Sequence, residues 1–290
     1  MHLWLVTDRK PGHVAQLEGL HAGLAARTDV QPRWIEVGDA VRAATAAPPD
    51  LIACAGRLTQ RPALSLQRRF GGRSVVLMRP SPLGGRFDLA VVPEHDDPKP
   101  GPDVVLTRGA LNPVRPMDGD PGRGLILIGG PSRHVAWNDA AVLHQIDQLL
   151  AQDDLSWRLT TSRRTPLSML CPLIERQSER LRVIPAEQTP PGWVAAQLAA
   201  AGHAAVTIDS VSMISEAATG RCTTTVLDVP AAGRRSRVLR GIDRLLDDGL
   251  LCGLDTRIGF VPTQPLAEAD RVAGLILDRW FAERPLGRAA

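Results

Sequence analysis

The chain has 290 residues, 44% hydrophobic and 22% charged, with a formal net charge of +3. That length suits two domains, and the composition is that of a soluble globular protein whose core needs no metal or disulfide staples. The small charge excess gives no case for nucleic acid as a partner. Four scattered cysteines (Cys54, Cys171, Cys222, Cys252) with no CxxC pair argue against a zinc site.

His2–Thr7 reads as a buried strand, followed by a turn at Arg9–Gly12 and a helix to about Arg27. Strand candidates follow at Arg33–Val37, Asp50–Gly56, Ser74–Met78 and Leu89–Val92, with Val104–Thr107 as a short edge strand. Continuous Val/Ile/Leu runs separated by helices are the pattern of a parallel sheet covered on both faces. From Gly109 to Gly124 the sequence is dense in Gly and Pro, which predicts a linker between a domain at 1–115 and another from 125 to 290, residues 116–124 being its core.

Alternation resumes with strand Leu125–Ile128, a helix around Asp139–Ala151, strand Ser156–Thr161 and helix Pro166–Arg180. Strand Leu181–Ile184, helix Trp193–Gly202 and strand Ala204–Ile208 lead into a helix that ends at Gly220. Strand Thr223–Leu227, helix Arg234–Asp248 and a final amphipathic helix Leu266–Glu283 complete the chain. The expected fold class is α/β, with two Rossmann-like domains of mostly parallel strands. Ligands of such folds bind beyond the carboxyl ends of the strands, here a cleft between the domains.

The segment Asp209-Ser-Val-Ser-Met-Ile-Ser-Glu216 follows a strand and opens a helix. A helix amino terminus carries unpaired N–H groups and a positive dipole end, which suits a diphosphate. Ser210 and Ser212 can cap the helix or donate to phosphate oxygens, and Val211 and Met213 place their N–H groups in the same turn. Glu216 lies one turn beyond Ser212, where a carboxylate could accept both hydroxyls of a ribose. Ser/Asp caps followed by a surface Glu also occur on helices with no ligand. Ser162-Arg163-Arg164 ends another strand and reads either as an anion clamp or as a solvated turn. Gly129, Gly130 and Ser132 form a tight strand-to-helix turn without a complete GxGxxG, and no Walker sequence is present.

In the first half, His13 sits in the first strand-to-helix turn, placed either to take a proton from an acceptor hydroxyl or simply to hydrogen-bond locally. Glu94, His95 and Asp96 close a later strand. They invite a metal reading, but further His and Asp ligands at matched positions are missing, so no metal is expected. Asp118-Gly-Asp120 matches a DxD element but lies in the linker and is set aside. Arg234–Leu246 carries five arginines beside an apolar stripe, which could rest on an anionic membrane surface or pack on a sheet. Lys10 and Lys99 are the only lysines and tyrosine is absent, a usage that points to a GC-rich bacterial genome. No apolar run reaches the length of a membrane span or secretory signal, so cytoplasmic residence is expected, with peripheral contact at the inner membrane surface as an option.

Taken in order, several segments resemble the ELM1-like family, named for a plant mitochondrial fission protein. They are Asp8-Arg-Lys-Pro-Gly-His-Val-Ala-Gln16, Ala55-Gly-Arg57, Pro93-Glu-His-Asp96, Gly109-Ala-Leu-Asn112, Ile128-Gly-Gly-Pro-Ser132, Thr161-Ser-Arg-Arg-Thr-Pro166 and Asp209–Ala217. The family is in turn similar to GT-B glycosyltransferases, which need no bound metal. Thr189-Pro-Pro-Gly-Trp193 departs from the family's Asn-Pro-Tyr element.

The resemblance implies an inverting transferase with no cofactor, taking a nucleoside-diphosphate sugar to a cell-envelope-type acceptor that could be lipid-linked. Arg163, Arg164 and Ser210–Met213 would hold the diphosphate, Glu216 the ribose, with His13 or a carboxylate of Glu94–Asp96 as base. The alternative, implied by the plant namesake, is a catalytically silent scaffold with a protein partner. The absence of tyrosine rules out the Tyr-x-x-x-Lys arrangement of short-chain epimerases.

Overall fold

A computed structural model describes residues 1–38, 47–82 and 85–282. The first half holds strands β1 (His2–Thr7), β2 (Gln31–Glu36), β3 (Leu51–Ala55), β4 (Arg73–Leu77), β5 (Leu89–Pro93) and β6 (Val104–Thr107). They form one parallel sheet in the order β2-β1-β3-β4-β5-β6, so Val104–Thr107 is indeed an edge strand. Successive side chains leave opposite faces of a strand, and both faces are apolar here. Leu3, Leu5, Leu51 and Ala53 meet Leu17, Leu20 and Leu24 of α1 (Pro11–Ala25) on one side. Trp4, Val6, Ile52 and Cys54 meet Ala63, Leu64 and Leu66 of α2 (Gln60–Phe70) on the other.

The second half repeats the plan. Its strands β7 (Asp120–Leu127), β8 (Ser156–Thr160), β9 (Leu181–Ile184), β10 (Ala201–Thr207), β11 (Thr223–Leu227) and β12 (Cys252–Gly253) run in the order β12-β11-β10-β7-β8-β9. All the pairings are parallel. The connecting helices are α3 (Asp139–Ala151), α4 (Leu167–Glu175), α5 (Trp193–Ala200), α6 (Val211–Thr219) and α7 (Arg237–Asp247). The last helix, α8 (Glu268–Trp280), returns to the first half. Its Ala269, Val272, Ala273 and Ile276 enter the same cluster as α1. Gly23 makes that crossing close, since a Cβ there would meet Cβ of Ala273 at 2.9 Å. The expected end of this helix at Glu283 lies outside the described residues.

The first part of the breaker-rich stretch, ahead of residues 116–124, is packed, whereas Met117, Asp118 and Asp120–Arg123 are exposed. Leu111, Asn112 and Val114 are buried. Asn112 Nδ2 donates to Thr219 Oγ1 at 3.0 Å, and the Ala110 N–H donates to Ser215 Oγ at 3.2 Å. Gly and Pro forecast a break in regular structure but not whether the break is packed. Here the part around Ala110–Asn112 is clasped between α1 and α6. The strand after it also starts earlier, at Asp120, because Asp120 pairs with Ala201 ahead of a register shift.

Candidate functional site

The loop after β1 in the first half meets the start of α6, which follows β10 in the second, so the two sheets approach at their carboxyl ends. α1 begins with Pro11, which supplies a helix-ready φ and lacks an N–H that would go unused. This places Gly12 against the other half: a Cβ on Gly12 would lie 3.9 Å from Ser212 Oγ, in the first turn of α6.

His13 follows directly. Its Nδ1 is 2.8 Å from Asp8 Oδ1. Burial pushes the Asp8 carboxyl up, but hydrogen bonds from His13 and from the Lys10 N–H, with the Lys10 side chain nearby, outweigh it and hold it below its usual value. An ionised carboxylate can only accept, so Nδ1 carries the His13 proton and Nε2 is left as the basic nitrogen. Gly56, at the end of β3 with φ 91°, closes the other side. A Cβ there would collide with the imidazole ring. Asp8 and Gly56 therefore fix the histidine from two sides. The role of Asp8 was open to inference, being a carboxylate at a strand end five residues before a histidine. The packing of Gly56 on the ring was not.

In the second half the turn after β7 is built around Asp209. The Gly130 N–H donates to Asp209 Oδ2 at 3.0 Å, and Arg164 Nη2 lies 2.7 Å from the same oxygen. Arg164 Nη1 also donates to the Gly130 carbonyl at 3.0 Å. Ser162 Oγ donates to the Gly129 carbonyl at 2.9 Å, and the Gly129 N–H donates to Thr207 Oγ1 at 2.8 Å. A Cβ at Gly129 would collide with the Asp209 carboxylate, and one at Gly130 with the Arg164 backbone. The two glycines are thus required by close approach. Arg164 is committed to this frame, whereas Arg163 is exposed and makes no side-chain bond among the described residues. Ser132 turns into its own loop, its Oγ accepting the His134 N–H at 3.2 Å.

α6 opens beside that turn. Ser210 occupies the cap position without a side-chain cap bond, so its hydroxyl remains available. Ser212 is exposed, and Val211 and Met213 rest partly on the core. Glu216, one turn on, has no hydrogen bond or ion pair among the described residues. Burial alone pushes its carboxyl up to about 7.

The Glu94–Asp96 turn is used differently. His95 packs on α7, where a Cβ at Gly241 would sit 2.8 Å from His95 Cβ. Burial lowers its pKa; Asp96, with Oδ1 at 3.9 Å, opposes this and Arg244 reinforces it. The Asp96 carbonyl accepts from Arg79 Nη1 at 3.1 Å. No hydrogen bond joins this turn to His13 among the described residues. α7 itself buries Leu239, Ile242 and Leu245 in the second core. Asp118 and Asp120 are paired with Arg221 and Arg123, each at 3.0 Å. No group of three or more His, Cys, Asp or Glu positioned for a metal occurs among the described residues. None of their helices is long and apolar enough to cross a membrane.

Both sheets, their order and their helices are of GT-B type. The fold is similar to the Staphylococcus aureus MnaA–UDP structure (TM-score 0.56, 12% identity, 98% of each chain). It is similar to UDP-GlcNAc 2-epimerase from Neisseria meningitidis bound to UDP-GlcNAc (TM-score 0.56, 8% identity, 96% of this chain and 99% of that one). Phytolacca americana UGT2 complexed with UDP-2fluoro-glucose and pterostilbene gives TM-score 0.53 at 8% identity, over 97% and 90%. No curated protein matches the chain by sequence. A family model described as mitochondrial fission ELM1 matches residues 11–280.

Proposed function

This chain belongs to the mitochondrial fission ELM1 family, and from that premise we propose that it is a metal-independent glycosyltransferase using a nucleoside-diphosphate sugar. The observation that carries the proposal is the meeting of the Asp8–His13 pair with the amino terminus of α6 across the seam. Gly12 stands 3.9 Å from Ser212 Oγ, measured from a Cβ position. A base-bearing turn and a diphosphate-binding turn are what a transfer from a diphosphate leaving group requires on opposite sides of one bond.

In this reading Nε2 of His13 takes the proton of the acceptor hydroxyl. Asp8 fixes the tautomer and stabilises the imidazolium that forms, a division of labour familiar from His–Asp pairs. Negative charge builds on the leaving diphosphate. The N–H groups of Val211–Met213, the Ser210 hydroxyl and the unpartnered Arg163 supply fixed donors for it. Arg164 acts at one remove, bracing the Gly129–Gly130 turn through Asp209. Glu216 accepts from the ribose. Solved structures with UDP or a UDP-sugar in a similar fold support the donor class.

The decisive measurement is calorimetric titration with UDP, GDP, ADP and dTDP, followed by turnover of the matching UDP- or other nucleotide-sugar. Binding of one nucleoside diphosphate that weakens in Glu216→Ala is the expected result. Absence of binding by all four overturns the donor site. Binding without turnover, and indifference to His13→Ala, would turn the reading to a scaffold. Epimerised sugar in place of transferred sugar would turn it to an epimerase.

A further inference from the structure

Away from the seam, one face of the second sheet is left partly bare. α5 is eight residues long and packs on β10 and β7, leaving the outer strands β8 and β9 less covered. There Arg158 of β8 stands directly opposite Arg182 of β9. Residues opposed on neighbouring strands share a face at roughly 5 Å between Cβ atoms, and like charges in that relation repel. Neither charge is compensated. Arg158 donates to a neutral acceptor, Gln197 Oε1 of α5, and Arg182 has no side-chain bond among the described residues.

A cavity of about 530 Å³ opens at this point, lined by both arginines with Trp193, Gln177, Gln188 and Ile184. A smaller recess of about 160 Å³ continues past Arg158 to Ser156 and Arg123. No carboxylate lines either recess among the described residues; Arg123 is neutralised from outside by Asp120. Size in this range suits a small organic ligand. Two adjacent guanidinium forks suit phosphate oxygens, and an indole wall suits a flat ring.

We propose that this groove is a second binding site, separate from the seam, for a phosphate-bearing ligand with a flat organic body. Arg158 and Arg182 take the phosphate, and Trp193 takes the flat part. The Arg–Arg pair is then explained as a charge arrangement completed by its ligand. Because its residues are not those of the donor site, the groove stands or falls independently of it.

The test isolates the groove in the full chain by first disabling the seam with Arg163→Ala/Glu216→Ala. Pyrophosphate and ADP are the probes, read by calorimetry and tryptophan fluorescence. The seam variant is expected to retain one equivalent of ADP, bound at least threefold more tightly than pyrophosphate. Adding Arg182→Gln should weaken both probes about tenfold or more, with circular dichroism confirming the fold. Trp193→Phe, a mild change in the same background, should abolish the fluorescence response. Loss of both probes in the seam variant overturns the proposal, as does binding indifferent to Arg182→Gln. Equal affinity for the two probes overturns the assignment of Trp193. Failure of the donor site would instead appear as wild type and seam variant binding alike.

Discussion

Asp8 and Glu216 are carboxylic acids on opposite sides of one seam, each withdrawn from water, yet they are driven in opposite directions. Asp8 receives hydrogen bonds from the His13 ring and the Lys10 N–H, and its carboxyl is held low. Glu216 receives none among the described residues, and desolvation lifts it to about 7. Burial sets the stakes in both cases, and the local supply of donors decides the sign. The contrast also separates two tasks. An ionised carboxylate with one oxygen held by two donors is a fixed part of the turn. A half-buried carboxyl with no partner among the described residues is free to accept one, and the hydroxyls of a ribose are the partners proposed for it.

The largest expected effect breaks the partnered side. His13→Ala should lower the rate of sugar transfer by about 10²- to 10⁴-fold, the usual worth of a positioned base. Asp8→Asn tests the same arrangement more sharply. An amide can donate to Nδ1 and so favour the wrong tautomer, and the rate should fall with little change in nucleotide affinity. Equal losses in rate and affinity would mean that Asp8 holds the loop and not the tautomer.

The unpartnered side is best probed through pH. Glu216 has a folded value near 7, above its ordinary 4.5, so the fold favours the neutral carboxyl. Stability linked to it is complete below about 4.5 and lost as pH rises through about 7. Glu216→Gln, neutral at every pH, should therefore gain on wild type between pH 5 and 8, by at most about 3 kcal/mol in denaturant titrations. Asp8 carries the opposite sign: its contribution is present above about 3.8 and fades as pH falls through its lowered folded value. A flat difference for Glu216→Gln across that range would show the carboxyl to be solvated. If ribose hydroxyls are its partners, nucleotide affinity should rise with pH through the same window, and Glu216→Ala should weaken binding by about 1–3 kcal/mol.

How much of this was legible in the sequence follows the same division. Apolar runs ending in glycine or a polar turn gave both sheets, because a strand buried on both faces has only one composition available to it. Asp209 and its neighbours stood out because strand, turn and helix start are local features. Arg163 and Arg164 were indistinguishable in the chain; only the fold shows one bracing Asp209 and the other bare. The segment from Gly109 to Gly124 divides in texture for a related reason: Leu111, Asn112 and Val114 are buried, while Met117, Asp118 and Asp120–Arg123 are exposed. Whether a Gly/Pro stretch is solvated depends on distant residues, here Ser215 and Thr219 of α6. Likewise, the company of carboxylates around His95 does not reveal that its ring is seated on a helix more than a hundred residues away.

That seat supplies the smallest test, and one in which the sign is the evidence. Gly241 lies inside α7, where glycine ordinarily costs a helix about 1 kcal/mol relative to alanine. On a free helix Gly241→Ala would stabilise. Here the new methyl would come within 2.8 Å of His95 Cβ, tighter than real Cβ contacts allow, so the Glu94–Asp96 turn must shift away from α7. The variant should thus melt lower than wild type, and in a His95→Gly background, where the opposing Cβ is gone, Gly241→Ala should no longer lower the melting temperature. Gly241→Ala that melts higher on its own would mean that the two halves do not lean on one another at this point in solution. The helix propensity would then act alone, and the seam around Asp8 and Glu216 would have to be held shut by the α1–α8 crossing and the clasped segment at Asn112.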